Sequence, residues 1–187
     1  MNTEFEVKVI IDHELIRSKL RLLGATMVRP MGLMRRLTFY LPMIDGKQRW
    51  LRVRDEGEYS TLTFKSLDAT KQIDCLKELE VKISDFEIMI LMLNQLGYQS
   101  KMYVENYREI WKLDSCLIML DLWPWLDPLI EVEGDSQELV MQAVHRLGLD
   151  GYELHYGTSQ KLYCKKYGVS AEEFDGVGRL TAQEKPA

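Results

Sequence analysis

The chain has 187 residues, room for one ordinary domain and too little for two full ones. With 46% hydrophobic and 28% charged residues it reads as a globular protein, not a disordered or fibrous one. A formal charge of −5 argues against a general nucleic-acid binder but leaves room for a small polyanion held in a local basic cleft.

No apolar run is long enough for a membrane span, and Met1-Asn2-Thr3-Glu4 does not begin a secretory signal. Cys75, Cys116 and Cys164 are odd in number, widely spaced and without a CxxC pair. A disulfide framework or thiolate zinc site is therefore not expected, and a reducing cytoplasm is the expected home.

In chain order, the first segment alternates. Glu4, Glu6 and Lys8 share one face of a predicted strand, and Phe5, Val7 and Val9 share the other. A helix is predicted over Asp12 to Leu23, with Asp12 as N-cap and Gly24 as stop. After an Asp45-Gly46 turn, Arg52 and Arg54 alternate with Leu51 and Val53. Beyond Glu56-Gly57, Thr63 and Lys65 alternate with Leu62 and Phe64. Glu78, Glu80 and Lys82 then alternate with Leu79, Val81 and Ile83.

A second helix is predicted over Asp85 to Leu96, before Gly97. Around Arg108 the alternation is less clean, with Asn106 on its face. Asp121 lies between Leu120 and Leu122, and Glu131 and Glu133 interleave with Ile130 and Val132. A third helix is predicted over Ser136 to Leu147, before Gly148. From Ala171 to Ala187 little apolar pattern persists, and a peripheral or partly disordered tail is expected, leaving residues 1 to 170 as the domain.

Any one of these strands could be an ordinary sheet strand with its charged face in water. Taken together they carry an unusual load, with seven carboxylates and six cations recurring in ordered pairs. Three helices and about eight strands suggest an α+β fold: a sheet curled into a barrel, its apolar outside covered by helices and its charged face inside. Such an interior must be wet or ion-filled, because an unpaired charge in a low-dielectric medium is prohibitively unfavourable.

Arginine forks and lysine ammonium groups match phosphate oxygens, while clustered carboxylates match hard divalent cations such as Mg²⁺ or Mn²⁺. Phosphoryl transfer is mostly positioning and charge neutralisation, so no dedicated nucleophile is required. Competing chemistries lack an anchor, since GxSxG, GxGxxG and GxxxxGK[ST] are all absent. His13, His145 and His155 read as surface or helix-end residues. Trp111, Trp123 and Trp125 read as packing residues before nucleobase stackers.

At this point the blocks resemble a known family. Glu4-Phe5-Glu6-Val7-Lys8 resembles the ExExK signature of the CYTH, or triphosphate tunnel metalloenzyme, superfamily. Leu51-Arg52-Val53-Arg54, Leu62-Thr63-Phe64-Lys65 and Glu78-Leu79-Glu80 resemble its following strands in order. So do the Glu105-Asn106-Tyr107-Arg108 run, Asp121-Leu122-Trp123-Pro124 and Glu131-Val132-Glu133-Gly134. The last blocks are similar to those of a bacterial subgroup described as class IV adenylate cyclase-like.

The resemblance implies an eight-stranded antiparallel tunnel that takes a small triphosphate (tripolyphosphate, ATP or similar) with Mg²⁺ or Mn²⁺. No nucleic acid or membrane is expected as partner, and the chain is expected to act as a monomer or homodimer. By position, Lys8, Arg52, Arg54, Lys65 and Arg108 would hold phosphate, with Lys82 and Lys161 as further cations and Lys161 at a tunnel mouth. Glu4, Glu6, Glu131 and Glu133 would hold metal, with Asp121, Glu78 and Glu80 as further ligands. Glu4, Glu6, Lys8 and Lys65 would serve the chemistry. Asn106 stands where many members carry a lysine, which leaves substrate preference open. The expected activity is a metal-dependent triphosphatase. An adenylate cyclase making cyclic AMP and pyrophosphate is the alternative, and a non-catalytic polyphosphate-binding module the further one.

Overall fold

The computed structural model describes residues 1–68 and 73–181. In chain order the elements are β1 (Asn2–Ile10), α1 (His13–Leu22), β2 (Thr26–Ile44), β3 (Lys47–Asp55), β4 (Ser60–Leu67) and β5 (Leu76–Ile83). There follow α2 (Phe86–Gln95), β6 (Met102–Leu113), β7 (Cys116–Leu122), β8 (Leu129–Gly134) and α3 (Gln137–Arg146). The chain continues through α4 (Gln160–Tyr167), α5 (Ala171–Asp175) and β9 (Arg179–Leu180).

The first eight strands pair antiparallel in the order β2-β3-β4-β5-β1-β8-β7-β6, and a β2–β6 pairing closes them into a barrel. Closure removes the exposed sheet edges that an open sheet would leave. The long β2 achieves it by serving two neighbours, Arg35 through Thr38 pairing with both β3 and β6.

The three expected helices form where their caps predict. Asp12 accepts from the backbone N–H groups of Glu14 and Leu15, Asp85 from that of Ile88, and Ser136 from that of Leu139. Each chain exit runs through a glycine at positive φ, 73° at Gly24, 89° at Gly97 and 65° at Gly148, the left-handed turn that a side chain resists.

Helices α1 and α3 cover the outside of β1, β7 and β8. There Ile16, Leu20, Val140 and Val144 pack on Val7, Val9, Ile118 and Val132. Helix α2 covers β2 and β3 through Phe86 and Leu93 against Phe39 and Val53. The helical cover is incomplete. On β5 the outward Leu79 and Val81 stay 53% and 58% exposed.

One expectation needs correction. The segment from Ala171, expected as a peripheral tail, carries α5 and β9 as far as it is described, and β9 pairs parallel to β6 at Tyr103 and Val104. Leu180 is fully buried with Leu162 and Tyr163 of α4 against Met102, Val104, Trp123 and Leu129. Residues 182–187 lie outside the described residues. The barrel interior is charged as expected, and this apolar cluster lies at one end of it. Among the described residues, no helix is long and apolar enough to cross a membrane.

Candidate functional site

The inward faces of the strands enclose a cavity of about 350 Å³. Because successive strand residues alternate sides, the same spacing that buries Phe5, Val7 and Val9 outward turns Glu4, Glu6 and Lys8 into it. Arg52 and Arg54 enter from β3, Lys65 from β4, Glu78 and Glu80 from β5, Arg108 from β6, and Glu131 and Glu133 from β8.

Ion pairs line the wall on both sides. On the β1–β8 side, Glu6 lies directly across from Glu133, and Lys8 across from Glu131. Lys8 Nζ donates to Glu6 Oε1 at 2.6 Å and lies 3.6 Å from Glu131. Lys65 Nζ holds both oxygens of Glu4 at 2.6 and 2.9 Å and reaches Glu78 at 3.2 Å. Arg108 grips Asp121 with Nε at 2.7 Å and Nη2 at 2.5 Å, and Nη2 also donates to Glu131 at 2.6 Å.

On the opposite side, Arg36 and Arg54 are register partners across β2 and β3. Arg54 pairs with Glu56, whose other oxygen accepts from Arg29 at 2.6 Å. Arg52 donates to Thr63 at 3.3 Å and approaches Glu80 at 3.5 Å.

The electrostatics follow from this layout. Burial opposes ionisation of Glu131, yet Arg108 and Lys8 hold its pKa far below the carboxylate range. Burial likewise opposes the Glu4 carboxylate, and Lys65, Arg52 and Lys8 nevertheless keep its pKa below the ordinary value. Glu6 goes the other way. Its pKa is raised by burial and, with Lys8 opposing, by Glu4 and Glu131. Glu133 is pushed up to about 7, first by burial and then by Glu4 and Glu6, and it makes no hydrogen bond or ion pair of its own among the described residues. On the basic side, burial and neighbouring Arg52 lower Arg54 to about 10.

Three expected site residues are placed elsewhere. Asp121 is fully buried behind the wall, its oxygens engaged by Arg108 and by the Asn106 amide at 3.2 Å. Lys82 shares the face of Glu80 but lies at the end of β5, exposed, with its ammonium 4.3 Å from the Tyr59 ring centre. Lys161 is exposed on the first turn of α4 and does not line the cavity, although Gly157 to Gln160 just before it do. Among the histidines, His13 begins α1 as a helix-end residue but is buried, its Nε2 bonded to the Leu129 carbonyl at 2.9 Å. His145 is exposed beside Asp150.

Sequence reasoning missed Arg36 and the Arg29–Glu56 pair. The signal for Arg36 was present in Met34, Arg36, Thr38 and Tyr40 at period two, but Pro30 and Gly32 just upstream masked the strand. Trp123 sits beneath Arg36, 4.4 Å from ring centre to guanidinium carbon, so it stacks a cation here. Trp111 packs in the outer core.

The sequence matches the CYTH domain model over residues 2–162. The chain belongs to the CYTH domain family. Solved structures show the same fold at low identity. A Pyrococcus horikoshii protein is 24% identical with a TM-score of 0.64, covering 80% of this chain and 94% of its own. A conserved Pyrococcus furiosus protein is 21% identical with a TM-score of 0.68, covering 81% and 95%. A candidate adenylate cyclase from Vibrio parahaemolyticus is 16% identical with a TM-score of 0.69, covering 87% and 98%. No curated protein matches the chain.

A divalent cation can be tested against the donors present. Glu4, Glu6 and Glu133 are hard oxygen ligands of the kind Mg²⁺ and Mn²⁺ prefer. Glu133, partnerless and short of countercharge, is suited to receive one. As they stand, no three acidic, histidine or cysteine groups among the described residues converge as a ready-made metal site. Glu4 and Glu6 are instead occupied by Lys65 and Lys8. The donor chemistry fits, and binding requires those ammonium groups to swing to another anion.

Proposed function

We propose that this tunnel binds a small triphosphate and hydrolyses a phosphoanhydride bond with the help of Mg²⁺ or Mn²⁺. The observation that carries the reading is the inner wall lined by both carboxylates and cations. Carboxylates of β1 and β8 (Glu4, Glu6, Glu133) face arginines of β3 (Arg52, Arg54) across one enclosed cavity. Membership of the CYTH family supports it, since members are typically enzymes that act on triphosphates.

In this reading Arg52, Arg54 and Arg108 orient the phosphate chain and neutralise its equatorial oxygens. Lys8 and Lys65 move from their carboxylates to phosphate oxygens, which frees Glu4 and Glu6 to join Glu133 around the cation. Glu78 and Glu80 extend the acidic side through Lys65 and Thr63. Such an ion, when bound, supplies charge neutralisation at the phosphate and activates water. Asp121 acts on Arg108, fixing the direction of its guanidinium. Glu56 does the same for Arg54.

The test is release of phosphate from tripolyphosphate and from ATP with Mg²⁺ or Mn²⁺. ATP belongs in the panel because Trp50, Tyr163 and Phe174 add aromatic surface to the lining. The double variant Glu4→Gln/Glu6→Gln should lose at least about a hundredfold in rate if these carboxylates serve the transition state. No release with any metal, or full activity in the double variant, would remove the proposal. Chromatography of the ATP product separates hydrolysis from cyclisation to cyclic AMP.

A further inference from the structure

Among the described residues, Arg36 is a tunnel-lining cation with no part in the chemistry proposed above. It is 7% exposed, turned into the cavity from β2, and among the described residues it makes no ion pair with any carboxylate. Its polar contacts are few. Nη2 donates to Asn106 Oδ1 at 2.6 Å, and the guanidinium lies on Trp123. Its Nε is buried with no hydrogen-bond partner among the described residues. The nearest negative charge is relayed, since the same Asn106 donates from Nδ2 to Asp121 at 3.2 Å.

Its surroundings are otherwise cationic. Arg54 is its register partner, and Arg108, Arg54 and Arg52, after burial itself, drive its pKa well below the usual arginine value. A buried cation without a counterion is strongly unfavourable, and breaking a buried pair to leave one is among the most destabilising changes known. Here the unpaired state is what the free protein already holds. A guanidinium cannot escape by losing its proton near neutral pH, so the vacancy can be filled only by an anion from outside.

We infer that Arg36 is a substrate-binding residue, the anchor for an oligophosphate oxygen at the end of the tunnel floored by Trp123. The inference rests on the triphosphate reading above and adds the residue that fixes the depth of the phosphate chain. Trp123 covers one face of the guanidinium and leaves the Nε and Nη1 N–H groups, which point along different edges, as donors for oxygens. Asn106 sets the remaining edge. The contact between the two also means that a lysine at 106 would bring its ammonium to the same place from β6.

The experiment is calorimetric titration of the full chain with tripolyphosphate, alone and with Mg²⁺, joined to thermal unfolding with and without the anion. The variants are Arg36→Gln and the exchange Arg36→Gln/Asn106→Lys. Wild type should bind. Arg36→Gln should bind roughly 10- to 100-fold more weakly, and the exchange should recover most of that loss.

Melting supplies a readout that a merely structural arginine would not give. Without anion, Arg36→Gln should unfold at a higher temperature than wild type, because an unmatched cation has gone. With saturating tripolyphosphate the order should reverse. If wild type binds and Arg36→Gln binds within twofold of it, or if the variant melts lower or fails to fold without anion, the anchor is overturned while the triphosphate reading stands. If wild type does not bind tripolyphosphate under any condition, the triphosphate reading fails and the anchor with it.

Discussion

Glu133 carries the plainest consequence at the scale of single residues. Its ordinary pKa of 4.5 rises to about 7 in the folded protein, through burial and then the nearby Glu4 and Glu6. Between those two values the unfolded chain has lost this proton and the folded chain still holds it. Stability therefore falls as pH rises from about 4.5 to about 7 and levels off above. The loss is at most about 3 kcal/mol. Glu133→Gln removes the titration, so the stability difference between variant and wild type should widen across that window and stay constant beyond it. Urea unfolding at pH 4.5, 6 and 8 measures it, and an equal difference at all three would contradict the assignment. Saturating Mg²⁺ should narrow the difference by stabilising the ionised wild type.

Most of this lining was legible from alternation alone, because a period of two states which face a side chain takes. It does not state how far along the barrel that face remains a wall. Lys82 has the right parity and the wrong depth. Asp121 has the right parity too, but it is covered by the arginine it holds.

Among the elements, the helices were readable because their caps are local. Each needs only a polar side chain at one end and a glycine at the other. Strand β2 was not, since its register with β6 shifts between Met27 and Gly32, around Pro30, and only the partner strands make it a strand. Helix α4 was also missed, because its Ser159 N-cap makes no side-chain bond and its pattern serves the inside of a barrel. The two faces of a strand should answer differently to truncation. Ile130, fully buried in the outer core, should cost about 2–5 kcal/mol as Ile130→Ala. Leu79, just over half exposed on β5, should cost no more than about 0.5 kcal/mol as Leu79→Ala. Denaturant midpoints decide, and comparable losses would mean that the β5 face is covered by a partner in solution.

For the molecule as a whole, closure through β2 and β6 is what turns charges scattered along the chain into one electrostatic object. Net charge and composition could not announce it. An overall excess of acid says nothing of a wall that carries carboxylates and guanidinium groups together until the chain has been wrapped around it. The last turn of the wrapping matters as much. Tyr163 of α4 donates its hydroxyl to the Pro124 carbonyl at 2.6 Å, and Leu180 of β9 is buried beside it, so this end is stoppered by the chain's own C-terminal half-turns. Among the described residues, that leaves the opposite end as the door. In the triphosphate reading, product leaves by the way the next substrate arrives, and inorganic pyrophosphate should compete directly with the substrate. Initial-rate plots should show an effect on KM with kcat unchanged, and a purely kcat effect would mean that pyrophosphate binds away from the substrate site.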